Sequence, residues 1–267
     1  MDKIIGIPIS EVPPRWQSST RTPSEQIDRF SDYNYSTNLS RLLRNKSIAY
    51  VCPSPHLKGM QMGKYIDSHD LVVRVNQAYH MREGDWEDYG KRTDISINCL
   101  NIHKRNALSK DMDFVNSLKY IVCPMVNVHT LPQVDAFLAQ LKIPTHNVSD
   151  EYLFKVFEEV GTTCNTGLMG IITLLNYEIK NLYVTGMTFF NMNQFGKVYN
   201  DTYHDEAALN NNFTANANRT PSKSDLRMDI HEQEPQIEYF KKILDYHYPN
   251  KLTVDEYLIE NFNLEEK

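Results

Sequence analysis

The sequence predicts an α/β protein of one domain, with a mainly parallel twisted sheet flanked by helices, and three observations predict it. The stretch Ile48 to Asn76 reads as a short apolar strand, Ile48-Ala49-Tyr50-Val51, a Pro53-Ser54-Pro55 turn, a helix-length segment, and a second strand, Leu71 to Val75. Strand, turn, helix and strand in about thirty residues is a βαβ unit, whose ligand crevice lies at the carboxyl ends of its strands. Further strand-like and helix-like patterns then alternate along the chain. At 267 residues the chain is long enough to bury one large core.

Composition narrows the classes. Hydrophobic content of 41% and charged content of 23% are ordinary for a globular protein. No apolar run reaches the roughly twenty residues of a membrane span. The amino terminus has no hydrophobic segment of signal-peptide length, so the expected compartment is the cytoplasm. A net charge of −6 argues against a protein that mainly grips nucleic-acid phosphates. Cys52, Cys99, Cys123 and Cys164 form no CxxC pair and read as small core or edge residues, with Cys52 and Cys164 the pair to watch for a close approach.

Taken in order, residues 1–46 carry Pro8, Pro13, Pro14 and Pro23 among Ser, Thr and Arg and read as an N-terminal arm that ends in a short helix at Leu39, Leu42 and Leu43. Such an arm suits a wrapped tail, and oligomer formation is open to it. Residues 47–267 form the main domain. Ser54 and Asn76 each follow a strand and are expected side by side at the carboxyl edge, and Asn98 after Ile95-Ser96-Ile97 is a third polar residue at a strand end. Tyr120 to Cys123 is the next strand, and Leu131 to Leu141 and Tyr152 to Val160 have helical spacing.

The loop Gly161 to Gly167 opens a long apolar helix, Leu168 to Ile179, followed by a strand, Asn181 to Gly186. A small-polar loop at a helix start offers unpaired N–H groups and a positive dipole end to an anion. Asn165 or Thr166 acting only as a helix cap explains the same residues equally well. Thr188 to Asp229 is long, polar and Asn-rich, the pattern of a lid or substrate loop. Past it come a helix, Ile237 to Tyr246 with Phe240, Ile243 and Leu244 inward, a short strand, Leu252 to Val254, and an acidic tail. Among the other polar groups, His56 reads as a cap or a solvent-facing residue, His69 as a packing residue, and His204-Asp205-Glu206 as a solvated loop. Asp111-Met112-Asp113 has the D-x-D form of metal-dependent sugar transferases, yet at a helix start acidic residues complement the dipole, and it is not taken as a metal site.

Together these stretches resemble the sialyltransferases. Their large motif, a strand, a turn of the form V-G-N-S or G-N-G-P-S-L, a helix and I-D-x-H-D-x-V-x-R-x-N-Q, is similar to Val51-Cys52-Pro53-Ser54-Pro55-His56-Leu57 and Ile66-Asp67-Ser68-His69-Asp70-Leu71-Val72-Val73-Arg74-Val75-Asn76-Gln77. Tyr89-Gly90-Lys91-Arg92-Thr93 follows at the family's offset. The small motif, S-T-G at a helix head and then a strand and glycine, resembles Asn165-Thr166-Gly167 through Val184-Thr185-Gly186, and His231 matches a family histidine near the start of a late helix. Cys52 and Pro53 stand where the family has Gly and Asn, Asn165 where it has Ser, and Phe190 where an aromatic hydroxyl is expected, which leaves Tyr199 as the nearest phenol.

The resemblance implies a sialyltransferase-like variant of the GT-A nucleotide-sugar transferase fold. It implies an inverting glycosyltransferase that moves sialic acid or a related acidic sugar from a cytidine monophosphate (CMP) donor to a glycan hydroxyl. Ser54, Asn76 and Asn98 would hold the nucleotide, Asn165, Thr166 and Gly167 the donor's anionic part, Tyr199 the phosphate, and His231 would be the general base. No metal or other cofactor is implied; the partners are the nucleotide-sugar donor and a glycan acceptor. Two other functions fit the same residues: a nucleotide- or glycan-binding protein that has lost catalysis, and a sugar transferase acting on modified nucleic-acid bases.

Overall fold

Seven parallel strands form the sheet, in a computed structural model that describes residues 3–4, 7–8, 36–76, 83–124, 131–189 and 232–264. A two-stranded hairpin, β1 (Lys3–Ile4) and β2 (Ile7–Pro8), stands apart from it. Helix α1 (Thr37–Leu43) leads into β3 (Ser47–Val51), the centre of the fold. From there the chain runs outward through β4 (Leu71–Val75), β5 (Ile95–Ile97), β6 (Tyr120–Cys123) and β7 (Thr145–Asn147). It then crosses back to place β8 (Asn181–Thr185) on the other flank of β3, with β9 (Leu252–Val254) outside it. The direction of winding therefore reverses between β3 and β8. In open α/β sheets that reversal separates the loops and leaves a crevice at the strands' carboxyl ends.

The strands read as unbroken apolar runs because helices cover both faces. Ile48, Tyr50 and Cys52 share one core with Leu71, Val73, Ile95, Ile97 and the inward side of three helices, α7 (Asp150–Val160), α8 (Thr166–Leu175) and α9 (Gln233–His247). Ala49, Val51 and Val72 point the other way, against Leu57, Ile66 and Tyr89, the last on α3 (Trp86–Tyr89). A third cluster joins Ile121 and Cys123 of β6 to Leu108 and Val115 of α4 (Ile102–Ser109) and α5 (Met112–Ser117), and to Val134 and Phe137 of α6 (Leu131–Leu138).

Five of the strands expected from sequence agree with the structure to within a residue, and β9 falls where it was expected. Several helices differ. The link between β3 and β4 is not one helix: a 3-10 turn, Pro55–Leu57, and the short α2 (Gly63–Asp67) share it, because Pro53 and Pro55 remove helix donors and Gly59 takes a left-handed φ of 86°. α8 stops at Leu175, short of Ile179, and α6 at Leu138. The acidic tail folds into α10 (Glu256–Phe262), capped by Asp255, whose Oδ1 accepts from Leu258 N at 3.0 Å. Asp111 caps α5 by accepting from Phe114 N at 3.1 Å, which is the dipole-complementing role expected of it. Most of the N-terminal arm, most of the Asn-rich loop with His204-Asp205-Glu206, and the last three residues lie outside the described residues.

Candidate active site at the sheet's switch point

The backbone closes tightly where β3 and β8 end. Cys52 N donates to Thr185 O at 2.8 Å. A Cβ on Gly186 would lie 2.2 Å from Cys52 O, and Gly186 has φ +74°. Only glycine meets both demands, which accounts for the Thr-Gly pair after β8. All four thiols are free. Cys52 is buried, and burial followed by the charge of Asp255 pushes its thiol well above the usual range, so it is a neutral packing group.

Helix α8 drops onto this edge through two glycines. A Cβ on Gly170 would meet the Tyr50 hydroxyl at 2.1 Å, and one on Gly167 would meet Asn165 Oδ1 at 3.1 Å and Cys52 Sγ at 3.7 Å. Tyr50 locks the contact by donating to Gly167 O at 2.8 Å. The helix start, with its positive dipole end, is thereby held at the crevice. Asn165 is the N-cap, its Oδ1 accepting from Leu168 N at 2.8 Å, and Thr166 is mostly buried. The capping role expected for Asn165 is thus made, while the N–H groups of the first turn still face the helix's amino end.

One residue missed in the sequence completes the arrangement. Gln236 of α9 is fully buried; its Oε1 accepts from Asn165 N at 2.8 Å and its Nε2 donates to Glu232 O at 2.9 Å. The start of α9 is thus tied to the start of α8. The signal was present: Gln236 stands on the same stripe as Tyr239, Phe240, Ile243 and Leu244, where a polar residue needs a partner. His231 and Tyr199 lie outside the described residues.

On the other flank, Asn76 ends β4 in a left-handed conformation, φ 52°, which Asn tolerates better than most residues. Its N donates to Ile97 O at 2.7 Å and its Oδ1 accepts from Cys99 N at 3.2 Å. Asn98 is fully buried, donating from Nδ2 to Asn76 O at 3.3 Å and accepting from Leu100 N at 2.9 Å. Asn98 therefore braces Asn76, whose own amide nitrogen makes no hydrogen bond among the described residues. Asn76 and Asn98 come together at the ends of β4 and β5, whereas Ser54, the neighbour expected of Asn76, hydrogen-bonds to His56.

Ser54 is also buried at this edge, but its company was not foreseen. Its Oγ lies 3.1 Å from His56 Nδ1, and His56 Nε2 lies 2.8 Å from Asp255 Oδ2. Asp255 Oδ2 further accepts from Thr185 Oγ1 at 2.8 Å and Gly186 N at 3.0 Å. The His56 side chain is 5% exposed and its ring stacks on Tyr257 at 5.0 Å. The expectation that His56 caps a turn or faces solvent is therefore corrected: 199 residues separate it from Asp255, and no local pattern announces such a pair. His69 is the packing residue expected, with Nδ1 2.9 Å from Tyr65 O and its ring stacked on Tyr183.

An α/β domain with its crevice at a switch point, a helix start held beside it and paired asparagines on its other flank is an architecture that suits a nucleotide ligand. The model of glycosyltransferase family 29, the sialyltransferases, matches residues 19–168, more than half of the chain, and the chain belongs to that family. No curated protein matches it. Among solved structures it is similar to the sialyltransferase CstII from Campylobacter jejuni in complex with the substrate analogue CMP-3FNeuAc, at 17% identity and TM-score 0.55, over 81% of this chain and 85% of that one. It is also similar to a mammalian sialyltransferase in complex with Gal-beta-1-3GalNAc-ortho-nitrophenol, at 15% identity and TM-score 0.50, over 91% of this chain and 83% of that one. These likenesses establish the shared fold. The protein is a glycosyltransferase of the sialyltransferase type. No helix among the described residues is long and apolar enough to cross a membrane.

Proposed function

We propose that the protein transfers sialic acid or a related acidic sugar from a CMP donor to a glycan hydroxyl with inversion at the anomeric centre, without a metal ion, and with His231 as general base. The observation that carries this reading is the convergence of the α8 start and the braced Asn76 on the carboxyl edge where β3 and β8 part. CMP sugars place a phosphodiester between base and sugar, and their acidic sugar adds a carboxylate. A helix start suits such anions, because its N–H groups and dipole favour negative charge without a bound cation.

In this reading Asn76 offers its amide nitrogen to the nucleotide, Asn98 holds it in place and keeps one amide proton of its own, and Ser54 closes the edge. Asn165, Thr166 and Gly167 present the helix start to the donor's anionic part, and Tyr199 reaches the phosphate. His231 precedes the Glu232 carbonyl that Gln236 ties to Asn165. A histidine suits the base role because its ordinary pKa lies near working pH. Attack by the activated hydroxyl on the face opposite the leaving phosphate inverts the centre.

The test is a donor screen by mass: CMP sugars beside uridine and guanosine diphosphate sugars, each with and without chelator. Transfer from a CMP sugar that survives chelator is expected. Transfer only from a diphosphate sugar with manganese present would overturn the reading and return attention to Asp111 and Asp113. Binding of a CMP sugar with no transfer to any glycan would favour a binding protein that has lost catalysis.

A further inference from the structure

His56 is the one histidine among the described residues that sits between a buried serine hydroxyl and a buried carboxylate, and the established family activity leaves it without a task. Asp255 Oδ2 accepts at 2.8 Å from His56 and also takes hydrogen bonds from Thr185 and Gly186. An acceptor so placed requires a hydrogen on His56 Nε2. With the ring neutral, Nδ1 is then an acceptor. Ser54 must donate its only hydroxyl proton to it across 3.1 Å, while Oγ accepts from His56 N at 3.4 Å. With the ring protonated, Nδ1 donates to Ser54 Oγ instead, and the serine proton is released toward whatever lies in front of it. The direction of the Ser54 hydrogen bond is therefore set by the charge of His56.

We propose that His56 is a positioning residue for the donor: its protonation, anchored by Asp255, turns Ser54 into a hydrogen-bond donor for an anionic group, so that the donor's phosphodiester binds with uptake of one proton by His56. The inference rests on the reading of a CMP-sugar donor and deepens it. The proton balance is simple. One proton moves from solvent to Nδ1, the Ser54 hydrogen rotates from Nδ1 to a phosphate oxygen, and no covalent bond to carbon or phosphorus changes.

The groups around the ring are consistent with this. Asp255 at the cap of α10 supplies the counter-charge, and Tyr257 of α10 stacks on the ring. Cys52 at the end of β3 and Tyr183 on β8 feel the Asp255 charge, but burial pushes both far above their usual range and keeps them neutral. Glu256 also acts on Tyr183. Among the described residues, the charge to be balanced beside His56 is therefore that of Asp255. By linkage, whatever binds the protonated form more tightly raises the ring's affinity for its proton and must bind more tightly itself as the proton concentration rises.

The experiment is titration calorimetry of the full chain with the donor analogue CMP-3FNeuAc in two buffers of different ionisation enthalpy near neutral pH. The bridging phosphodiester and the sugar carboxylate do not titrate there. Uptake approaching one proton per analogue is expected for the normal protein and for His231→Ala, and uptake near zero for His56→Gln and for Ser54→Ala, with thermal melts confirming folded variants. Nitrogen-15 spectra of the normal protein provide a second measurement should His56→Gln not fold. They should show the His56 ring gaining a proton when the analogue binds. Binding without proton uptake, uptake that persists in a folded His56→Gln, or an unchanged His56 ring signal overturns the proposal and leaves the donor reading intact. An analogue that does not bind the normal protein at all overturns the donor reading, and this inference with it.

Discussion

The two flanks of the crevice are made in opposite ways. On the β4–β5 flank the charged residues of one continuous stretch grip backbone. Arg74, fully buried, donates to Arg92 O, Tyr89 O and Gly90 O at 2.7 to 3.0 Å and to Thr93 Oγ1 at 3.1 Å. Asp67 accepts from the N–H groups of Lys91 and Arg92, and Asp94 from Val72 N, with Arg92 and Lys119 as its ion partners. Burial lowers the Arg74 pKa to about 10, which leaves it charged at neutral pH. On the β8–β9 flank, Ser54, His56, Thr185, Gly186 and Asp255 come from three distant segments and bond mainly to one another. The charges of the long motif thus build a scaffold that ends in Asn76, whereas the flank assembled across the chain holds the groups able to move a proton.

The largest expected effect asks whether the α9 side carries the chemistry. His231→Ala should slow transfer by roughly a hundredfold to ten-thousandfold, about 3 to 5 kcal/mol in the barrier, with donor affinity nearly intact. Single-turnover rates beside analogue affinity read both quantities. A folded variant that transfers at the normal rate removes the base from this flank.

Next comes the closure of the crevice itself. Gly186→Ala sets a Cβ 2.2 Å from Cys52 O at a positive φ, and a loss of roughly 3 to 4 kcal/mol in denaturant unfolding is expected. A loss under about 0.5 kcal/mol, the scale of an ordinary surface substitution, would mean that β3 and β8 can part there freely.

The anchorage of α9 gives a pH-dependent effect. Burial raises Glu159 from 4.5 to about 7, against the opposing hydrogen bond from Tyr239 and the charge of Lys242. Glu159 Oε2 is buried without a hydrogen bond among the described residues, and Oε1 accepts from Tyr239 on α9 at 3.0 Å. The folded state therefore binds this proton more tightly than the unfolded chain. Stability is full below 4.5 and declines as pH rises to about 7. Between pH 5 and 8 the normal protein should lose up to about 2 to 3 kcal/mol more than Glu159→Gln, measured by urea midpoints at several pH values. Equal losses would show that this carboxyl titrates alike in both states.

The smallest expected effect lies on the scaffold flank. Asn76→Ala should weaken binding of a CMP sugar by roughly 1 to 3 kcal/mol, the range for a hydrogen bond to a charged group or a buried one left unpaired. Calorimetry on the folded variant decides it, and an unchanged affinity would confine donor recognition to the α8 and β8–β9 side.

Where two residues are close in sequence or lie on one periodic element, their meeting was legible beforehand. The strands β3, β4, β6, β8 and β9 follow from short apolar runs between turn residues. The pairing of Asn76 with Asn98 follows because parallel neighbours end at the same edge. The ordered motif from Ile66 to Thr93 pointed to the family before any coordinates did. Other features had no local signature. The Ser54, His56 and Asp255 cluster joins residues 199 apart, and although the buried stripe of α9 asks for a partner to Gln236, only the fold makes that partner Asn165. The sequence by itself determined the alternation of strands and helices, because burial and turn chemistry act over a few residues. Tertiary structure alone decided which side chains share a proton, because hydrogen bonds act over about 3 Å and only the order of the strands brings Asp255 that close to His56.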